Sequence, residues 1–254
     1  MISVILSGLA FLCPLLGAGI GMALRQRLPE HHLSRESIDV IKLAMGLMAT
    51  LVALTLGLLI QSASLYRTTV ETEYRQILAS IVHLDEYLQA YGPEAKEIRQ
   101  HIRLVAARSF QARWPHEDFG PTGPMPDGAR DQFTDVQRQI VGLEPATAAQ
   151  RWFQSQALQI TNRLSDLRGL LMTQEATTAP LVPVFILIFL SSIAIFGSFC
   201  LYVRPNPTVF TVISLTALAI AGATFLIVEM NNPFHGLLYI ASRGAHAAMQ
   251  AIGQ

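Results

Sequence analysis

The sequence predicts an all-α, polytopic membrane protein with four transmembrane helices and a helical-bundle stalk inserted between spans two and three. Three observations carry that expectation. The 254 residues are 51% hydrophobic and only 14% charged, against roughly 25% charge in an ordinary soluble domain. Four stretches are apolar over the roughly 20 helical residues that a hydrocarbon core requires. A polar stretch with helical period throughout separates the second of these from the third.

The first span covers residues 2–24 and contains no charge. Its basic residues, Arg25 and Arg27, follow the apolar run instead of preceding it, and no small-x-small cleavage site is present, so a retained helix is expected and not a signal peptide. Gly17, Gly19 and Gly21 form a G-x-G-x-G run, but no strand precedes it, which excludes a dinucleotide loop. Close helix packing or lipid-facing flexibility is the expected role. The second span covers residues 40–61, with Lys42 at its start, and no proline or glycine separates it from the polar stretch that follows. Residues 40–91 therefore read as one helix of about 50 residues, or ~75 Å at 1.5 Å per residue. The third span covers 181–203, with Pro180 and Pro183 in or before its first turn, and the fourth covers 208–228. Residues 1–62 are thus the first span pair, 63–177 the soluble stalk, and 178–230 the second pair. Residues 231–254 are expected as an amphipathic tail, in which Phe234, Leu237, Leu238 and Ile240 lay a short helix along the membrane surface.

Four apolar stripes define the stalk. Val70, Tyr74, Ile77, Ile81, Leu84, Leu88 and Tyr91 recur at steps of three and four, and Gly92-Pro93 stops that helix. Ala95, Ile98, Ile102 and Val105 form the second stripe. Phe133, Val136, Ile140 and Leu143 form the third, and Phe153, Ala157, Ile160, Leu164, Leu167 and Leu171 the fourth. Residues 115–128 hold four prolines and three glycines and read as a loop. Such stripes imply helices packed at shallow angles. Asp85 falls beside the first stripe and is expected partly exposed.

Charge and motif content exclude several function classes. Eighteen basic residues balance eighteen acidic ones, which argues against nucleic acid as a partner. Cys13 and Cys200 lie in apolar runs. The seven histidines, including the adjacent pair His31 and His32, fall in no zinc-binding frame. No nucleophile elbow or Walker loop is present. No cofactor, metal or enzymatic activity is therefore expected. The short loops carry Arg25, Arg27, Arg35 and Arg204, which by the positive-inside rule makes them cytoplasmic and sets the stalk on the outer side.

Two features invite a functional reading. Gly46, Thr50, Ala53, Gly57, Gln61 and Ser64 recur along one face of the second span, all small or polar. Such a stripe serves either as a packing seam or, in an oligomer, as a pore wall. The fourth span carries Ser214, Ala217, Ala221 and Thr224 and ends at Glu229, an acidic site at the membrane interface with an ion-path or interface role.

Three stretches resemble the bestrophin-like family of bacterial membrane proteins. These are the apolar run around Gly57 from Ala53 to Ile60, the stretch Leu84-Asp85-Glu86-Tyr87-Leu88-Gln89-Ala90-Tyr91-Gly92-Pro93, and the tail Glu229-Met230-Asn231-Asn232-Pro233-Phe234-His235-Gly236. The resemblance implies distant kinship with bestrophins, oligomeric anion channels whose large helical domain is cytoplasmic, on the opposite side from that given by the loop charges. The resulting expectation is a homo-oligomeric ion channel or permeation protein of the bacterial inner membrane, in contact with lipid and ions, with span two lining the path. A different class stays open beside it: a membrane-anchored interaction or sensor protein whose stalk binds a partner.

Overall fold

The computed structural model describes residues 2–27, 35–120, 132–177, 181–203, 206–234 and 236–252. His31, His32, Pro180, Arg204, His235 and loop residues 121–128 lie outside the described residues, as does the side chain of Phe133. Helices α1 (Ile2–Arg25), α2 (Arg35–Tyr91), α3 (Lys96–Arg113), α4 (Gln132–Val141), α5 (Ala148–Thr177), α6 (Leu181–Cys200), α7 (Pro207–Met230) and α8 (Arg243–Ala251) make up the described chain, with no strand among the described residues. Four of them, α1, α2, α6 and α7, are long and apolar enough to cross a membrane. The expected uninterrupted second helix is present and longer than its sequence bounds, at 57 residues. The chain divides into two compact units, Met1–Thr68 with Ala179–Tyr239 and Thr69–Thr178 with Ile240–Gln254.

In the first unit, α1 packs against α6 and α7 through its smallest residues. Ala10, Cys13, Gly17, Ala18 and Gly21 are buried, whereas Gly19 is exposed. A Cβ built on Gly17 would lie 2.5 Å from the carbonyl oxygen of Ile193, and one on Gly21 would run into the carbonyl of Gly197. Only glycine permits this backbone approach, which is how membrane helices gain packing where no hydrophobic force drives them together. Two of the three glycines are thus packing residues. A Cβ on Gly19 would meet nothing within 4 Å among the described residues. Ala217, Ala221 and Thr224 are buried on α7, so the small-residue face of the fourth span is also a seam. Buried hydroxyls bond back within their own helices, Ser192 Oγ to the Ile188 carbonyl at 2.8 Å and Thr224 Oγ1 to that of Ile220 at 2.9 Å, as an anhydrous setting demands. A second cluster joins Leu56 and Ala63 of α2 to Phe185 and Ile188 of α6 and Ile227 and Val228 of α7.

In the second unit the four expected stripes, apart from Ala95 before α3 and Leu143 after α4, lie on helices α2 to α5 and supply most of the described core, with Leu84, Leu88, Ile102, Val136, Ile140 and Ala157 all essentially inaccessible. Gly92 ends α2 at φ 131°, a backbone state that side chains disfavour. The start of α5 is tied to the same corner. Thr147 and Gln150 form a reciprocal cap, with Gln150 Oε1 accepting from the amide of Ala146 at 2.9 Å and Thr147 Oγ1 accepting from that of Gln150 at 3.1 Å. Gln150 Nε2 then donates to the carbonyl of Tyr91 at 3.2 Å.

The tail departs from its expected form. Phe234, Leu237, Leu238 and Ile240 lie on no helix, because Pro233 and Gly236 break the chain there and α8 starts only at Arg243. The segment is shared between the units instead of forming one surface element. From Ile240 onward it is packed in the second unit, where Ala245, Ala248, Met249 and Ile252 are buried. Trp114 Nε1 donates to the Ile240 carbonyl at 3.2 Å, the His246 ring stacks on Phe119 with centroids 4.5 Å apart, and His246 Nε2 lies 2.8 Å from Glu117 Oε2. Hydrogen bonds from Ser242 and then His246 hold the Glu117 carboxyl below the usual carboxylate range.

Two expectations follow from this packing. Gly21→Ala forces α1 and α6 apart and is expected to lower stability by about 1–3 kcal/mol, the usual toll of overpacking, while Gly19→Ala leaves thermal denaturation in detergent unchanged. At Glu117 a depressed folded-state pKa makes its contribution complete above the unfolded value and removes it as pH falls through the folded one. Limited proteolysis is accordingly expected to show residues 240–252 losing protection on acidification below about pH 4, a dependence that Glu117→Gln abolishes.

Candidate functional site

The six small or polar residues singled out on α2 share one face, as their spacing requires, and the structure places that face away from the rest of its own chain. Gly46, Thr50, Ala53, Gly57 and Gln61 are exposed and Ser64 is half-buried. At ~100° per residue, three distinct faces run along this part of α2. Val52, Leu56, Leu59, Ile60 and Ala63 pack against α6 and α7. The small and polar stripe comes next around the helix. A band of exposed leucines follows, Leu43, Leu47, Leu51, Leu54, Leu58 and Leu65, centred roughly 80° further on. Only 6% of the apolar window of α2 is buried in the chain, against 33%, 22% and 33% in α1, α6 and α7. It is the peripheral helix of its unit.

The chemistry of the stripe is graded along its length. Thr50 donates its hydroxyl to the carbonyl of Gly46 at 2.9 Å, so that polar group is already satisfied in its own helix. Gln61 has no hydrogen-bond partner among the described residues. A carboxamide has two donor hydrogens and an acceptor oxygen to satisfy. Among the described residues, a Cβ on Gly46 or Gly57 would touch nothing within 4 Å. Gly17 and Gly21 are explained by a neighbouring helix, and these two by nothing among the described residues.

Glu229 stands apart from that stripe. It is 3% exposed, and its carboxylate accepts from the Leu237 amide at 2.7 Å and, more weakly, from that of Leu238 at 3.4 Å. The Ser3 hydroxyl at the start of α1 also donates to it. Gly236 has φ 105°, and any Cβ there would run into this carboxylate. Glycine is needed at that position for both reasons. Asn231 and Asn232 donate their side-chain amides to the carbonyls of Ile227 and Val228, closing the end of α7. The acidic residue and the glycine of the tail motif thus work together, Glu229 holding the amides of Leu237 and Leu238 and Gly236 leaving room for its carboxylate. Its partners lie on α1 and on its own loop, and none lies on the α2 stripe.

Asp85, expected partly exposed, is 3% accessible. Arg99 of α3 grips it with a two-pronged guanidinium, Nε to Oδ1 and Nη2 to Oδ2, both at 2.8 Å. Sequence spacing held the signal, since Asp85 lies four residues after Ile81 and three before Leu88, within the buried stripe. Arg99 was the residue left out of account. Among the described residues no group of three His, Cys, Asp or Glu side chains is placed to hold a metal ion.

The described chain is therefore an all-helical membrane protein whose four apolar helices form one unit and whose charged helices form another. It matches the bestrophin-like domain family over residues 12–244 and belongs to that family. No curated protein and no solved structure matches it.

Replacing Glu229 by glutamine removes the charge from two backbone hydrogen bonds. Bonds to charged groups are each worth about 1.5–3 kcal/mol, so hydrogen exchange at the Leu237 amide is expected to accelerate by at least tenfold. The amides of Val136 and Ile140 serve as the unaffected reference.

Proposed function

We propose that this protein is a homo-oligomeric ion channel or permeation protein of the bacterial inner membrane, with the α2 stripe along its conduction path. The observation that carries this reading is the contrast between glycines. Gly17 and Gly21 are filled by a neighbouring helix of the same chain, while Gly46 and Gly57 face open space beside Thr50 and Gln61. Polar groups at membrane depth require water or a partner. The described residues offer Gln61 no partner, so several copies arranged around the stripe supply the missing surroundings. The leucine band beside it suits lipid or the flank of a second copy. Kinship with bestrophins favours anions as the permeant species, and the loop charges favour the outer side of the membrane for the charged helical unit. No catalytic step enters this reading.

The test is flux from liposomes holding the purified protein, with chloride and potassium gradients measured separately and with Gly57→Leu alongside. Selective flux is expected, falling at least tenfold in the variant, because a leucine fills the space that Gly57 leaves. Cysteines at positions 57 and 61 are expected to react with a water-soluble thiol reagent. Flux that Gly57→Leu leaves intact, together with protection of both cysteines, assigns the stripe to packing and shifts the function to partner binding by the charged helices.

A further inference from the structure

We propose that the cavity between the start of α2 and the end of α6 holds the phosphate head of an anionic phospholipid. Its volume is about 140 Å³, room for a head and not for a whole lipid. Ile41 and Met45 of α2 and Phe199 of α6 form its apolar part, and Lys42, Ser198 and Tyr202 its polar part. The two helices set it at a membrane boundary, since the membrane-crossing stretch of α2 begins at Ile38 and that of α6 ends at Cys200. Phe199 is 41% exposed, which opens the cavity toward the surrounding lipid.

The three polar groups select the ligand. None of them has a hydrogen-bond or ionic partner among the described residues, and Lys42 makes no ion pair with Asp39 one turn before it. Ser192 and Thr224 satisfy their hydroxyls on carbonyls of their own helices, as a dry setting requires, whereas Ser198 makes no such bond. Ser198 and Tyr202 are four residues apart on α6, ~6 Å along its axis, and Lys42 of α2 lines the same small space. Three donors, one of them cationic, with no carboxylate on the lining, match an oxyanion of net negative charge. A zwitterionic head sets its own ammonium beside that of Lys42, which is repulsive. A free phosphate leaves Ile41, Met45 and Phe199 unmatched, while a lipid covers them with its glycerol and first chain carbons. Basic pockets between membrane helices take up anionic headgroups on these terms. The site contains no residue of the α2 stripe, so it stands or falls independently of the conduction reading.

The test is native mass spectrometry of the delipidated full-length protein in detergent, titrated separately with phosphatidylglycerol, phosphatidylcholine and glycerol 3-phosphate. Phosphatidylglycerol is expected to saturate at one molecule per chain, phosphatidylcholine to bind at least tenfold more weakly, and glycerol 3-phosphate not measurably. Lys42→Gln is expected to bring phosphatidylglycerol down to the phosphatidylcholine level without changing phosphatidylcholine. Tyr202→Phe keeps the ring and loses only the hydroxyl, and is expected to weaken phosphatidylglycerol at least threefold. Arg27→Gln removes an exposed cation of the same membrane face that is not on the lining, and is expected to leave binding unchanged. Equal losses in Arg27→Gln and Lys42→Gln mean diffuse attraction to basic residues and overturn the proposal. So does equal wild-type affinity for the two lipids, glycerol 3-phosphate binding as tightly as lipid, full affinity in Lys42→Gln or Tyr202→Phe, or the absence of saturable binding.

Discussion

The membrane unit depends on the approach of α1 to α6 at the level of Gly17, Gly21 and Gly197. In hydrocarbon, apolar side chains gain nothing by leaving lipid for protein, so helices are held by close backbone packing and by the few polar groups they satisfy together. Gly17 and Gly21, one turn apart on α1, bring it against the carbonyls of Ile193 and Gly197. The small residues of α7, Ala217, Ala221 and Thr224, bury the neighbouring side. Once α1 occupies that position, α2 has only the face around Leu56 and Ala63 left for its own chain.

A second constraint organises the charged unit at the corner where α2 ends. Gly92 turns the chain, Gln150 brings the start of α5 to the carbonyl of Tyr91, and the Asp85–Arg99 fork locks α2 to α3 a few residues back. A buried ion pair of this kind adds little net stability compared with a hydrophobic pair. Removing one partner alone nevertheless strands a charge, at about 3–5 kcal/mol. That asymmetry gives the stretch from Leu84 to Pro93, which resembles the family motif, a physical reason to hold both an aspartate and a glycine. The tail motif has the same logic in another material. Glu229 replaces water around two backbone amides, and Gly236 leaves room for it.

Much of this was legible in the residues. The spans, the unbroken second helix, its stop at Gly92-Pro93 and the four core stripes all follow from composition and from a 3.6-residue period, which are properties of local sequence. In the tail, Phe234, Leu237, Leu238 and Ile240 are apolar enough to suggest a surface helix. Pro233, Gly236 and the pull of the Glu229 carboxylate on the Leu237 amide prevent one. The spacing of Asp85 from Ile81 and Leu88 puts it inside the core, but an aspartate alone gives no hint that an arginine fourteen residues later will reach it.

The sequence by itself determined that this is a four-span helical membrane protein of the bestrophin-like family, because apolar length, helical period and motif order are all written along the chain. Only the tertiary structure decided which small residues are seams and which are open faces. Gly17, Gly21, Gly46 and Gly57 look alike as letters in apolar helices. What separates them is whether another backbone stands within 4 Å, and that depends on how the helices pack in space.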